Sequence, residues 1–172
     1  MKNKILPLSV IVVFGIIFFI FYKSLEDSKI YIPDDIKKTE IPVFNTKNFF
    51  SEEYVKSSSI FKLDKIYLLN IRSSWCVPCR QEHSFLMKLN SDNKVNIIGM
   101  NYKDNFKNAE NFLKKLGNPY KKIFSDLDGT IAIEWGAYGV PESFLIYNNK
   151  IIKKYIGPLN QKLIDEINSI IK

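Results

Sequence analysis

The sequence predicts an α/β domain carried behind one N-terminal transmembrane helix. Three observations lead there. Residues 5–22 form an uncharged apolar run. From Ile66 onward, short apolar runs alternate with segments of helical period, the pattern of a mixed, partly parallel sheet flanked by helices. The only two cysteines, Cys76 and Cys79, stand where the first of those runs passes into the first helical segment. Length agrees, since 172 residues fit one domain plus an anchor at about 100–200 residues per domain. Hydrophobic residues make up 46% and charged residues 25%, which excludes disorder throughout. Two cysteines three positions apart neither staple a small scaffold nor complete a four-cysteine zinc site.

The first element is the run from Ile5 to Tyr22. About 20 apolar residues cross a hydrocarbon core near 30 Å, and Pro7 and Gly15 are tolerated in such a helix. A cleaved signal peptide is the alternative, but its apolar region is usually about 7–15 residues long and ends in a small-x-small site. Here the run ends in Phe21-Tyr22-Lys23, so an uncleaved anchor over residues 1–22 is expected. Lys2 and Lys4 precede it, whereas Glu26 and Asp27 follow Lys23. The positive-inside bias leaves the N-terminus in the cytoplasm and exports residues 23–172. In a bacterium this is a single-pass inner-membrane protein with a periplasmic C-terminal domain.

Residues 23–40 are polar with little periodicity and read as a tether, with the domain covering 41–172. The net charge of +7 raises the question of nucleic acid. Lys2, Lys4 and Lys23 flank the apolar run, and Lys-Lys pairs at 37–38, 114–115, 121–122 and 153–154 are separated along the chain. Such pairs usually mark solvated faces, so no nucleic-acid partner is expected.

Residues 66–71 are a buried strand, rich in strand formers. Residues 77–89 place Phe85, Leu86 and Leu89 at helical spacing. Residues 95–100 form a second strand. A second helix over 105–116 carries Phe106, Ala109, Leu113 and Leu116, and Gly117 stops it with Pro119 beyond. Ile123-Phe124 is a short strand and 125–129 a turn. Strands over 143–147 and 150–156 are joined by Asn148-Asn149, a hairpin signal. After Gly157-Pro158, Leu163, Ile164, Ile167, Ile170 and Ile171 form the apolar face of a last helix.

At a helix start, Cys76 lies beside unpaired backbone N–H groups and the positive end of the macrodipole, which favour thiolate over thiol. Thiols in Cys-x-x-Cys pairs reach pKa values of about 3.5–7.5 against about 8.5 when free. The spacing fits disulfide exchange. Cys76, at the exposed end, attacks a substrate disulfide, and Cys79, one turn later, resolves the mixed disulfide. Pro78 falls in the first turn, where its missing N–H costs nothing. Idle buried thiols are one alternative. A metal-binding delivery module of Cys76, Cys79 and His83 is another, although it lacks a fourth ligand. A heme-attachment site needs histidine where Arg80 stands.

Several segments together resemble a known family. They are Leu68-Leu69-Asn70, Trp75 to His83, Gly99-Met100-Asn101-Tyr102-Lys103-Asp104, Leu116 to Tyr120, and Gly136 to Ile146 with its Tyr138-Gly139-Val140-Pro141-Glu142 core. The chain resembles the thioredoxin-like superfamily, and within it the membrane-anchored thiol:disulfide interchange proteins of cytochrome c biogenesis, the CcmG/DsbE type. The resemblance implies a thioredoxin-like fold without a cofactor. It implies a reductase keeping the heme-binding cysteines of apocytochrome c, or a cytochrome-assembly thiol protein, reduced. Electrons would come from a transmembrane thiol carrier of the DsbD/CcdA type. A general exported oxidoreductase is the neighbouring reading.

The resemblance also assigns supporting residues. Pro141 matches the family's cis-proline, which would present the Val140 backbone to an extended peptide. Glu82 and Glu142 match acidic positions lining the site, though alone they could be solvated charges. Asn70 takes the place of a buried aspartate found in many thioredoxins, and it cannot titrate. Trp75 and Tyr138 suit an apolar rim. Arg72 departs from the bulky apolar residue usual after this strand. It either faces solvent or alters the active-site surface.

Overall fold

The computed structural model describes residues 5–26, 40–51 and 53–171. They belong to two units, residues 1–31 and 32–172. In the first unit, α1 (Ile5–Glu26) is one helix of 22 residues, running past Tyr22. At 1.5 Å per residue it is about 33 Å long. Among the described residues, no helix is long and apolar enough to cross a membrane. Side chains of α1 are described from Ser9 to Lys23. Most of the expected tether, residues 27–39, lies outside the described residues.

In the second unit a hairpin comes first, β1 (Asn45–Lys47) with β2 (Tyr54–Lys56), followed by the single turn α2 (Ser57–Ile60). Then follow β3 (Ile66–Arg72), α3 (Val77–Ser91), β4 (Asn96–Tyr102), α4 (Phe106–Leu116), β5 (Lys122–Asp126), α5 (Thr130–Glu134), β6 (Glu142–Tyr147), β7 (Lys150–Ile156) and α6 (Gln161–Ile170). The five-stranded sheet has the order β5-β4-β3-β6-β7. β3, β4 and β5 are mutually parallel, whereas β6 and β7 are antiparallel to their neighbours. The expected mixed sheet is therefore present, with β3 at its centre.

Because β3 is covered on both faces, its side chains alternate between two cores rather than between core and solvent. Leu68 packs with Leu86 and Leu89 of α3, Phe112 of α4, and Ile164 and Ile167 of α6. Tyr67, Leu69 and Ile71 pack with Phe61, Phe144 and Trp135 on the other side. Asn70 and Arg72 share the Leu68 face by this alternation, and so point toward the helix that carries the cysteines.

Local signals end the elements where expected. Asn105 caps α4 by accepting from the N–H groups of Lys107 and Asn108, and Asn160 caps α6 through Leu163 N–H. Asn148 and Asn149, at φ 49° and 58°, turn the β6–β7 hairpin. Positive φ at both central residues is what a two-residue type I′ turn requires. The hairpin β1–β2 and the turns α2 and α5 were not expected, since each is too short to carry a hydrophobic period.

Gly99 of β4 pairs in register with Asn70. A Cβ there would lie 3.1 Å from the Tyr120 ring and 3.3 Å from Ile123. The bare backbone thus lets the Tyr120 ring come close against β4. Gly99→Ala is expected to cost about 1–3 kcal/mol by displacing that ring. Urea unfolding measures it, and an unchanged midpoint would mean that Tyr120 yields freely.

Candidate active site

Cys76 is the N-cap of α3, and its Sγ accepts a hydrogen bond from Cys79 N–H at 3.1 Å. The two cysteines form a disulfide with Cα atoms 5.3 Å apart. Pro78 sits in the first helical turn. The residues leading into the disulfide are held by the segment after β4. Asp104 accepts from Ser74 N–H at 2.6 Å and Ser74 Oγ at 2.8 Å, while Trp75 Nε1–H donates to the Lys103 carbonyl at 3.1 Å. Trp75, Val77 and Tyr138 are exposed, as a rim requires. Cys76 itself is only 4% exposed, which corrects the expectation of a thiol at an open end. Its sulfur is drawn into the first turn by the bond to Cys79 and by the N–H it accepts.

Beneath the cysteines lies a buried polar network. Asn70 Nδ2 donates to Glu82 Oε1 at 2.8 Å and to Ser143 Oγ at 3.0 Å, and Asn70 Oδ1 accepts from Tyr120 O–H at 2.8 Å. Glu82 Oε2 accepts from Leu159 N–H at 2.8 Å. Glu82, one turn beyond Cys79 on α3, is 1% exposed and has neutral donors as its hydrogen-bond partners. Burial pushes its carboxyl up to about 7, against the lowering effect of the Leu159 N–H and the Asn70 amide. Burial likewise raises the Tyr120 phenol, with Arg72 opposing.

Glu142 is buried too, at the start of β6 beside the cis Val140–Pro141 bond. Its Oε1 accepts from the N–H groups of Tyr138 and Gly139 at 2.7 and 3.0 Å. Its Oε2 lies 2.8 Å from Lys154 Nζ, an ion-pair distance without hydrogen-bond alignment. Lys154 donates to the Gly136 carbonyl at 2.7 Å and lies 4.0 Å from the Tyr138 ring centre. The reading of Glu82 and Glu142 as solvated charges is therefore overturned. One sits under the dithiol, and the other shapes the loop that carries Val140 and Pro141.

His83 is a core residue. Its Nε2 donates to the Gly117 carbonyl at 3.0 Å, and its ring meets Phe112 edge-on at 5.0 Å. Burial lowers its pKa, the Gly117 contact opposes this, and Arg72 and Arg80 add to it. Among the described residues, no group of three histidine, cysteine or acidic side chains is placed to hold a metal ion. The Cys76, Cys79 and His83 module finds no support in this geometry. Arg72 does not face solvent either. It is 1% exposed, and its guanidinium lies over the rings of Phe112 and Tyr120 at 5.2 and 5.5 Å.

Ser143, Tyr120 and Leu159 escaped the sequence reading as site residues. Ser143 alone had a legible signal, as the polar residue of an otherwise apolar strand run two positions after Pro141. The Leu159 contribution is a backbone N–H, which no side-chain pattern encodes.

A mixed sheet with a Cys-x-x-Cys disulfide at a helix start, over a buried carboxyl, defines a thioredoxin-like thiol:disulfide oxidoreductase. The comparisons with known proteins agree. Residues 37–170 match the Redoxin family model. The thiol:disulfide interchange protein CycY of Rhizobium leguminosarum is 48% identical over 95 residues, 55% of this chain and 51% of that one. The thiol:disulfide interchange protein DsbE of Escherichia coli K12 is 31% identical over 171 residues, 96% of this chain and 92% of that one. Among solved structures, StoA from Bacillus subtilis superposes with a TM-score of 0.58 at 25% identity, covering 74% of this chain and 97% of that one. The chain belongs to the Redoxin family and, within it, to the thiol:disulfide interchange proteins with a Cys-x-x-Cys pair.

The raised carboxyl of Glu82 makes stability depend on pH. A folded-state value near 7 exceeds the ordinary 4.5, so between those values the folded chain keeps a proton that the unfolded chain has lost. Stability falls as pH rises through this window, by about 3 kcal/mol in all. His83 acts oppositely, because a lowered value adds stability as pH rises toward 6.5. Glu82→Gln leaves His83 in place. The stability difference between parent and variant, from urea unfolding at pH 4 to 8, is expected to change by about that amount. A constant difference would mean that Glu82 does not titrate in this window.

Proposed function

We propose that the protein is a membrane-anchored periplasmic reductase of cytochrome c maturation. One observation carries the reading. The two segments that mark the resemblance to the cytochrome-maturation type both meet the end of β3 that leads into the disulfide. Asp104 from Asn101-Tyr102-Lys103-Asp104 holds Ser74. Glu142 from Tyr138-Gly139-Val140-Pro141-Glu142 holds the loop that carries Pro141.

Cys76 is the nucleophile. As thiolate it attacks a substrate disulfide, a mixed disulfide forms, and Cys79 displaces it to release the reduced substrate. Glu82, one turn from Cys79, carries the proton that Cys79 must lose, and a carboxyl near 7 suits that exchange. Trp75, Pro78, Asn70, Val140, Pro141 and Glu142 support the pair. No bound cofactor is needed, since the electrons pass between sulfur atoms. The substrate is the heme-binding cysteine pair of apocytochrome c or an assembly protein bearing its electrons. An exported reductant needs a supply of electrons in an oxidising compartment, and a transmembrane thiol carrier of the DsbD/CcdA type fits that need. The anchor is α1, whose 22 residues include the uncharged run over 5–22. Residues 23–40 are the tether, and 41–172 the working domain.

Cys79→Ser leaves the mixed disulfide unresolved, so partners should accumulate on Cys76 and be identifiable by mass spectrometry. Cytochrome-assembly proteins are expected among them. A set of partners without one would instead favour a general exported oxidoreductase. Deleting residues 1–22 from the full chain should move it from the carbonate-resistant membrane fraction to the supernatant. Unchanged fractionation would refute the anchor.

A further inference from the structure

Arg72 ends β3, which leads through Ser73, Ser74 and Trp75 into the disulfide. It is buried, and among the described residues none of its three guanidinium nitrogens has a hydrogen-bond partner. Among the described residues it forms no ion pair, and its charge is offset only in part, by the Asp104 carboxylate, which acts on it electrostatically while accepting from Ser74. Asn101, in register with it on β4, presents a buried Oδ1 without a partner. Tyr120 and Phe112 offer ring faces, and His83 offers an imidazole that Arg72 disfavours charging. Arg80, directly after Cys79, lies 4.9 Å from the same Phe112 ring and adds a second cation. Glu82 is the remaining carboxyl on this face, and it is held by Asn70 and Leu159.

A buried cation that forms no ion pair is costly, and removing it for an apolar residue of similar volume is often neutral or stabilising. Arginine is effectively always protonated, so the charge persists. Its field reaches His83, one turn beyond Cys79 on the buried face of α3, and low dielectric strengthens it there. Reduction of the cysteine pair adds an anion at this end of α3, and oxidation removes it. Two donor thiols give up two electrons and two protons as they join in a disulfide. The Cys76–Cys79 bond takes both electrons and one proton, leaving one thiol and one thiolate, and the other proton passes to solvent.

We propose that Arg72 is an electrostatic positioning residue of the dithiol, its buried cation offsetting the thiolate that reduction creates and so biasing the couple toward the reduced form. This rests on thiol:disulfide exchange at the pair, not on the identity of the substrate. It also explains why a charge can replace the apolar residue usual at this position. The oxidised state leaves the cation with Asp104 alone, and the reduced state gives it a second anion.

The test is equilibration of the full chain, in detergent, with glutathione buffers, together with ultraviolet titration of the thiolate. Arg72→Met should raise the equilibrium constant for oxidation at least about tenfold, about 30 mV toward more negative potential. The thiolate titration should move to higher pH. Arg72→Lys, which keeps the charge, should stay within about threefold of the parent, roughly 0.7 kcal/mol. Asn101→Asp, placing a carboxylate in register beside Arg72, should shift the couple in the same direction as Arg72→Met, and it decides the matter if Arg72→Met does not fold. A folded Arg72→Met with the parent's potential would overturn the proposal, as would Arg72→Lys shifting as far as Arg72→Met, or an unmoved Asn101→Asp. Absence of any reversible couple in the parent would overturn the exchange reading itself.

Discussion

The side-chain amide of Asn70 joins the middle of the sheet to the helix that bears Cys79, and the site is arranged around that joint. Asn70 lies on the central strand, opposite Gly99 on one side and Ser143 on the other. Its two amide hydrogens go to Glu82 and Ser143, and its carbonyl receives Tyr120. Each bond needs something from the fold. Gly99 must lack a side chain for Tyr120 to lie close. The segment before α6 must bring Leu159 N–H to the second oxygen of Glu82. A buried polar network that is satisfied in this way fixes one arrangement, because every alternative leaves a group unpaired in low dielectric. An aspartate at position 70 would share a proton with Glu82. The amide does not titrate, and so within this network the response to pH near neutrality belongs to Glu82.

Two buried acids lie against the C-terminal part of β3, and the fold treats them differently. Glu142 has a cation, Lys154, and two backbone donors. It therefore behaves as a structural charge that fixes the loop ahead of Pro141. Glu82 has neutral donors only, and desolvation governs it. The distinction follows from strand pairing. Glu142 and Ile156 are register partners, and Lys154 pairs with Phe144 two residues along, so β7 delivers an ammonium to the start of β6. No comparable cation reaches Glu82 among the described residues. The acid whose carboxyl burial raises to about 7 is the one that sits a turn from Cys79.

Most of the architecture was legible in the sequence because its signals are long or chemically sharp. The runs over 66–71 and 143–147, the apolar face of α6, and the Asn148-Asn149 turn each carry a period or a φ requirement that few other structures satisfy. The hairpin β1–β2, α2 and α5 were missed, since three to five residues contain no period to detect. At the site, the cysteines and Pro141 were legible as motif. The burial of Glu82, Glu142, Lys154 and Arg72 was not. Charged residues are almost never fully buried unless paired, so local sequence favours the surface for all four. What buries them is non-local: the register of β7 on β6 for Lys154, and the packing of Phe112 and Tyr120 over β3 for Arg72.

Recognition and chemistry occupy different depths of the site. Trp75, Val77 and Tyr138 stand exposed, while the cysteine sulfurs and the Asn70–Glu82 network lie covered. An incoming disulfide therefore meets apolar and backbone surface before it meets sulfur. The rim is tied to the covered layer at both ends. Trp75 is fixed through Lys103, and the Tyr138 N–H through Glu142. Cys76 behind the rim is 4% exposed, so the same contacts that fix the rim also limit access to the disulfide.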